Sequence, residues 1–428
     1  MRMFTAKRSN GGSLSKLWQP GNAAAFTLLL TGLLVLLGCV WGDPILRANQ
    51  KGGLVLIGLA ILAGITGIAL IGHQDLQPRL FRWESKSLCL AGLLIVVHCV
   101  SAYERIHSDP GNIDTFIIER DATRDLLRGS DPYGATRPNY YNAQQTKMLY
   151  GEGLVVNGRL QVGLQYPPVT FLCTVPGLLL FHDIRYGFVA AIVLAAIMVM
   201  AVLPGRSGLV PAAFFLLNPI TYIVEVLAWT EPLVWMLLCL TVMTALKKPR
   251  WLALALGLFL ASKQYNFLAL PFIACLLQPF SWRAFWRLLG KSIAVAVLTV
   301  LPFAIWNVRA LWRDLIAFHL AQPFRYDSVS FAILSPVFLK IGPILVLAFI
   351  AWILWRGNFG PRAFPALYGM AMLLFVSTNK QAFLNYYFLI SNAFLLAGFA
   401  LKKWNLTPPP PSPPSIKLEP DHDDSHSV

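Results

Sequence analysis

The sequence is poor in charge and poorer still in acid. Of 428 residues only 13% are Asp, Glu, Lys or Arg, and 20 acidic side chains face 35 basic ones, a net charge of +15. A soluble domain carries roughly 25% charged residues. A chain that is 56% hydrophobic, with mean hydropathy +0.60, lacks the polar surface to cover a water-facing body. Cysteine is also sparse. Cys39, Cys89, Cys99, Cys173, Cys239 and Cys275 each lie in an apolar run, without the paired spacing of a zinc site or a disulfide framework, and read as small buried hydrophobes. Absent too are H-E-x-x-H, G-x-x-x-x-G-K-S/T and a Gly-rich dinucleotide fingerprint, which leaves a metalloprotease, an ATP-driven pump and a nicotinamide enzyme without support. No segment is long and polar enough to be the Rossmann-like domain of a nucleotide-sugar enzyme.

What the sequence has in abundance is apolar runs. A crossing of about 30 Å of hydrocarbon takes around 20 residues. Early runs cover Ala24 to Trp41, Gly53 to Ile71 and Leu88 to Tyr103. After a break of more than sixty residues, Glu104 to Tyr166, they resume at Val169 to Phe181 and recur to Leu401. The expected fold class is all-α, a polytopic transmembrane helical protein of about 11–13 helices with one long extracytoplasmic loop. The expected organisation is a cytoplasmic N-terminus (1–23), N-terminal transmembrane helices (24–103), the loop (104–168), a transmembrane core (169–403) and a Pro-rich then acidic tail (404–428). The tail cannot bury a core and is expected to be disordered.

The excess of positive charge would suggest nucleic acid in a soluble chain. Here it falls in short clusters between apolar runs, at Arg2, Lys7, Arg8 and Lys16, at Arg79, Arg82 and Lys86, at Lys247, Lys248 and Arg250, at Arg283, Arg287 and Lys291, at Arg356 and Arg362, and at Lys402 and Lys403. That is the pattern of cytoplasmic loops, and it implies both termini inside, no nucleic-acid partner, and Glu104 to Tyr166 on the far side. The apolar N-terminal stretch lacks a clear cleavage site and reads as a retained helix. The scheme closes if Val169 to Phe181 is half-inserted or re-entrant, or if another short run does not cross.

Eight of the 20 carboxylates gather in that one loop, at Glu104, Asp109, Asp114, Glu119, Asp121, Asp125, Asp131 and Glu152, beside seven Lys or Arg. Within it, NIDTFIIERDATRDLLRGSDPYG reads as a cap and a helix closed by Gly129. Asp114 is then either an N-cap or a functional carboxylate, and Glu119 and Asp121 either a solvated face or alternates to it. Glu225 and Glu231 sit between short apolar segments, where an ionisable group is costly enough to be a candidate for function unless the intervening loop reaches water.

An Asp opening the large loop, an aromatic, a short helix ending in LLRG, then DPYG and later YPP before an apolar run resemble the GT-C membrane glycosyltransferases. The nearest branch is that of polyprenyl-phosphate-mannose-dependent mannosyltransferase-like proteins, with protein mannosyltransferase and aminoarabinose transferase relatives. LNPITYIVEVLAWTEPLVW (Leu217 to Trp235), ASKQYNFLALP (Ala261 to Pro271), HLAQPFRYDSVS (His319 to Ser330) and NKQAFLNYYF (Asn379 to Phe388) continue the likeness.

The resemblance implies a GT-C-like fold and a hexosyltransferase moving a mannose-like sugar from a polyprenyl-phosphate donor to a hydroxyl of a glycan, lipid or protein acceptor. It implies membrane lipids as partners, no cofactor, and a site facing out of a bacterial inner or plasma membrane. Loop carboxylates retain the chemistry to bind a divalent ion. Asp114 is the first choice as general base, with Asp121 and Glu119 as alternates. Lys263, Arg325 and Lys380 are candidates for the donor phosphate, against snorkelling to lipid headgroups as the plainer alternative. Glu225, Glu231, Tyr166, Gln264, His319 and Tyr386 are candidates for sugar or acceptor. Two other classes compete: a secondary transporter or lipid flippase, for which half-to-half similarity is missing, and an O-antigen ligase or polymerase, which needs no such Asp loop.

Overall fold

The computed structural model describes residues 20–42, 49–71, 85–111, 113–203, 206–357 and 359–401. The N-terminal basic cluster, Arg79, Arg82, Lys402, Lys403 and the Pro-rich tail lie outside the described residues.

The described chain is helical almost throughout. In order it forms α1 (Pro20–Gly42), α2 (Gln50–Ala69), α3 (Ser85–Ser108), α4 (Asp114–Leu127), α5 (Ala143–Tyr150), α6 (Pro168–Leu172), α7 (Val175–Phe181), α8 (Arg185–Val202), α9 (Arg206–Leu217), α10 (Pro219–Val226), α11 (Glu231–Lys247) and α12 (Leu252–Ser262). A 3₁₀ run at Gln264–Leu276 follows, then α13 (Trp282–Trp312), a π-turn (Arg313–Ala317), α14 (Phe318–Ala321), α15 (Val337–Arg356), α16 (Phe364–Val376) and α17 (Leu384–Leu401).

Among the described residues seven helices are long and apolar enough to cross a membrane, α9 and α10 make a pair bent by 50° that counts as an eighth if taken as one span, and there are four shorter apolar helices. The chain is a multi-pass membrane protein. α6 and α7, broken at Cys173–Thr174, run over Pro168–Phe181. At 1.5 Å per residue that is about 21 Å, short of a full crossing.

Helices apolar on every side must be central or face lipid, and both kinds occur. α16 and α17 are buried on nearly all faces, with α1, α2, α11 and α12 packed around them. α13 and α15 instead point large side chains outward, Ile305 at 77% and Trp355 at 84% exposure, the surface that hydrocarbon would cover. α1 and α2 approach through glycine: a Cβ at Gly53 would run into the backbone of Gly42.

The segment 104–168 is a folded cap. α3 continues to Ser108, five residues past the end of its apolar run at Tyr103, with Arg105 stacked over the Tyr222 ring at 5.0 Å. Asn157 and Gly158, both with positive φ, close a hairpin, as Asn-Gly does between short strands. β1 (Arg137–Pro138), β2 (Val155–Val156) and β3 (Arg159–Leu160) make a small antiparallel sheet, order β1-β3-β2, the one departure from all-α among the described residues. Arg137 pins the cap. Its guanidinium donates to Asp125 Oδ2 (2.6 Å), Gly163 O (2.8 Å) and Pro132 O (3.1 Å). Buried Asp314 accepts from the amides of Gly163 and Leu164 at 2.8 and 2.9 Å, which ties the cap to the end of α13.

Candidate active site

α4 begins one residue earlier than a capping Asp114 requires: Ile113 is the N-cap, and its side chain makes no capping bond. Asp114 is therefore the first helical residue. Its Oδ1 accepts from the Thr115 amide (2.8 Å) and its Oδ2 from the Tyr150 hydroxyl (2.5 Å). Tyr150 closes α5, and burial followed by the neighbouring Asp114 pushes its phenol well above the usual range. It stays a donor at any physiological pH and holds the carboxylate in one orientation. Tyr141 faces the same carboxylate.

Asp114 opens on a cavity of about 660 Å³ between the cap and the helical body. Lys263, Arg325 and Lys380 line it, as do Tyr166, Gln264, His319 and Tyr386. Eight residues scattered over more than 270 positions of sequence thus converge on one space. Apolar side chains, among them Phe267, Leu320 and Phe375, make part of the wall. Phe267 and Leu320 are 55% and 75% exposed, so this wall continues onto the lipid-facing surface.

Each of the three cations already has partners. Lys263, at the break between α12 and the 3₁₀ run, contacts Thr230 Oγ1, lies 3.2 Å from Glu231 Oε1, and sits 4.0 Å above the Tyr166 ring. Arg325 grips Asp327 with two bonds, 2.7 and 2.6 Å, and stacks 4.7 Å over Phe383. Lys380 donates to Leu320 O (3.0 Å) and Gln322 O (2.6 Å), satisfying the end of α14. Burial draws the Lys380 ammonium below the ordinary lysine range. Arg325 lies within electrostatic reach of Tyr141, Tyr150 and Tyr386, so a cation faces the Asp114 wall.

Gln264 and His319 converge on the backbone of Gln165. Gln264 Nε2 donates to Gln165 O at 3.0 Å, and His319 Nε2 lies 3.0 Å from the same oxygen. The Tyr133 hydroxyl fixes the next carbonyl, that of Tyr166, at 2.8 Å. Tyr265 and Tyr386 meet edge to face, 5.7 Å apart, and Tyr265 donates to Glu231 Oε1 at 3.0 Å.

Four of the residues singled out in the sequence stand outside the cavity. Asp121, two helical turns beyond Asp114 and hence about 10 Å further along α4, is held at the surface by Arg120 (3.0 Å) and Arg124 (3.7 Å). Glu119 is fully buried, with neither oxygen hydrogen-bonded. Burial raises its carboxyl well above the usual range, Lys263 opposing and Glu231 adding to the shift. Glu231 is the buried counter-ion of Lys263, the pairing its position allows. Glu225 neither pairs with Lys263 nor reaches the cavity. It bonds His98 Nε2 at 3.0 Å, while His98 Nδ1 takes the Leu216 carbonyl at 2.7 Å, which fastens α3 to the break between α9 and α10.

Tyr141, Tyr150, Gln165 and Asp327 line or build the site without having been singled out. Only Asp327, two residues from Arg325, left a sequence signal, since opposite charges that close can pair in a turn.

The fold and site together define a polytopic helical membrane protein with a carboxylate-and-cation cavity beneath a folded loop. No protein-family model and no curated protein matches the chain. Among solved structures, it is similar to ArnT from Cupriavidus metallidurans bound to undecaprenyl phosphate, with 17% identity and a TM-score of 0.47, over 72% of this chain and 59% of that one. It is similar also to the apo state of the same protein, with 16% identity and a TM-score of 0.47, over 74% and 60%. The chain thus spans about three fifths of that protein's length.

Proposed function

We propose that the protein is a GT-C-type glycosyltransferase that moves a hexose, mannose-like, from a polyprenyl phosphate to an acceptor hydroxyl. The supporting observation is a single cavity with a fixed carboxylate on one wall, three cations around it, and an apolar wall continuous with the lipid-facing surface. A lipid-linked anion needs the last two features together, and an attacking hydroxyl needs the first.

In this reading Asp114 takes the proton of the acceptor hydroxyl as its oxygen attacks the anomeric carbon. The bond from that carbon to the phosphate oxygen breaks, and the electron pair leaves with the polyprenyl phosphate. Lys263, Arg325 and Lys380 stabilise the developing charge. The ion pair with Glu231 keeps Lys263 ordered at the buried end, while Arg325 offers the planar fork suited to phosphate. In this reading both termini are cytoplasmic and the site lies on the outer face of a bacterial inner membrane, an orientation that the basic clusters between helices support. The acceptor is a glycan, lipid or protein.

Titration of undecaprenyl phosphate into protein in lipid nanodiscs tests the reading. Saturable binding that Lys263→Met weakens at least tenfold is expected, because loss of a charge-assisted contact is worth about 1.5 to 3 kcal/mol. Absence of saturable binding would overturn it.

A further inference from the structure

Two side-chain amides in the cavity wall have an acceptor with nothing to accept. Gln165 and Asn385 both line the cavity and are both only 6% exposed, and Gln165 Oε1 and Asn385 Oδ1 have no hydrogen-bond partner. A buried unpaired acceptor costs about 1 to 3 kcal/mol, so in a binding cavity it marks the place where a ligand brings the missing donor. The terminal amide torsion is soft, so either side chain can reorient its oxygen within the cavity wall it forms.

The surroundings narrow the donor. The backbone at Gln165 and Tyr166 is clamped by Gln264, His319 and Tyr133, so the amide is presented from a fixed base. Tyr166 carries the Lys263 ammonium over its ring. Asn385 is followed by Tyr386, which packs on Tyr265, the partner of Glu231 beside Lys263. Gln165 thus adjoins the Tyr166–Lys263 contact, and Asn385 lines the same cavity as that cation. On the reading that Lys263 meets the donor phosphate, a group next to it is the sugar that phosphate carries.

We infer that Gln165 and Asn385 form a subsite that accepts hydrogen bonds from hydroxyl groups of the sugar being transferred, and that they select a hydroxylated sugar over the bare lipid phosphate. The inference rests on the glycosyltransferase reading and adds residues that decide which sugar is taken. A site with unpaired acceptors discriminates strongly against a ligand lacking the matching donor, because that ligand leaves them buried and unmet.

The test compares affinities of three probes, undecaprenyl phosphate, undecaprenyl-phosphate mannose and undecaprenyl-phosphate glucose, for wild type, Gln165→Met and Asn385→Leu in nanodiscs, together with the unfolding midpoint of each protein. Wild type is expected to bind at least one sugar-bearing lipid more tightly than the bare one. Each variant is expected to lose about fivefold to tenfold of that affinity, to keep its affinity for bare undecaprenyl phosphate, and to unfold at the same temperature or higher, since an unpaired acceptor has been removed. Asn385→Ala serves if the leucine variant does not fold. Equal affinity of variants and wild type for the sugar-bearing lipids overturns the inference. So does an equal loss for all three probes, or a wild type blind to the sugar, and in each of these cases lipid-phosphate binding itself still stands. A wild type that binds no lipid phosphate overturns the glycosyltransferase reading and takes the inference with it.

Discussion

Asp327 and Glu119 show how single residues set the resting state of this site. Arg325 is neutralised by a two-bond grip from Asp327, so a phosphate bound as proposed competes with a carboxylate already in place. Asp327→Asn removes the competitor and is expected to tighten undecaprenyl phosphate binding by about threefold to tenfold, the pair being partly exposed and worth little more than 1 kcal/mol. Glu119 is the converse, a fully buried carboxyl without a partner. Burial raises its pKa above the ordinary 4.5, so the folded state holds a proton that the unfolded chain releases. Its contribution is fully present below 4.5 and is lost as pH rises toward the raised value, with a slope of up to about 1.4 kcal/mol per pH unit inside that window. The unfolding midpoint of Glu119→Gln, measured from pH 4 to 8, is expected to lack that decline and to exceed wild type at pH 8. Parallel curves for the two proteins would mean that Glu119 is ionised in the fold.

At the scale of elements, one buried arginine joins separate turns of the cap. Arg137 binds Asp125 and two carbonyls from separate turns, and it is 5% exposed. Arg137→Ala leaves those acceptors buried without donors and is expected to cost about 3 kcal/mol. Limited proteolysis between residues 128 and 165 reads this directly, with faster cleavage than in wild type as the expected result.

Sequence patterning made the helices legible because a membrane helix declares itself by composition alone. It also exposed α4, through Asp114 at its start and Gly129 beyond its end. It placed Asp114, Lys263, Arg325 and Lys380 near one another only through a resemblance, since they come from four distant segments. What it could not reveal were side chains recruited by tertiary packing. Tyr141 and Tyr150 read as ordinary loop aromatics until α5 folds back onto Asp114. Glu225 looked like a cavity carboxylate because nothing local in the sequence ties it to His98, 127 positions earlier. The 3₁₀ run at Gln264–Leu276 was equally hidden, for its apolar composition suits an α-helix as well. Its tighter winding brings Gln264, Tyr265 and Phe267 to one cavity, and long 3₁₀ stretches of this kind are uncommon away from functional segments.

For the molecule as a whole, the scarcity of acid has become a matter of where the acid is spent. Of the eight carboxylates gathered in the cap, Asp121 and Asp125 are matched to arginines. Asp114 is left facing the cavity, oriented by a phenol and an amide rather than by a cation. The buried pair α16 and α17, with the π-turn and α14, line that cavity where the cap meets the helical body. Sugar transfer from undecaprenyl-phosphate mannose and undecaprenyl-phosphate glucose by purified wild type and Asp114→Asn, with lipid-phosphate binding measured on the same samples, tests this most directly. Turnover by wild type and a loss of at least a hundredfold in the variant are expected, with binding retained. Unchanged turnover in Asp114→Asn would contradict it.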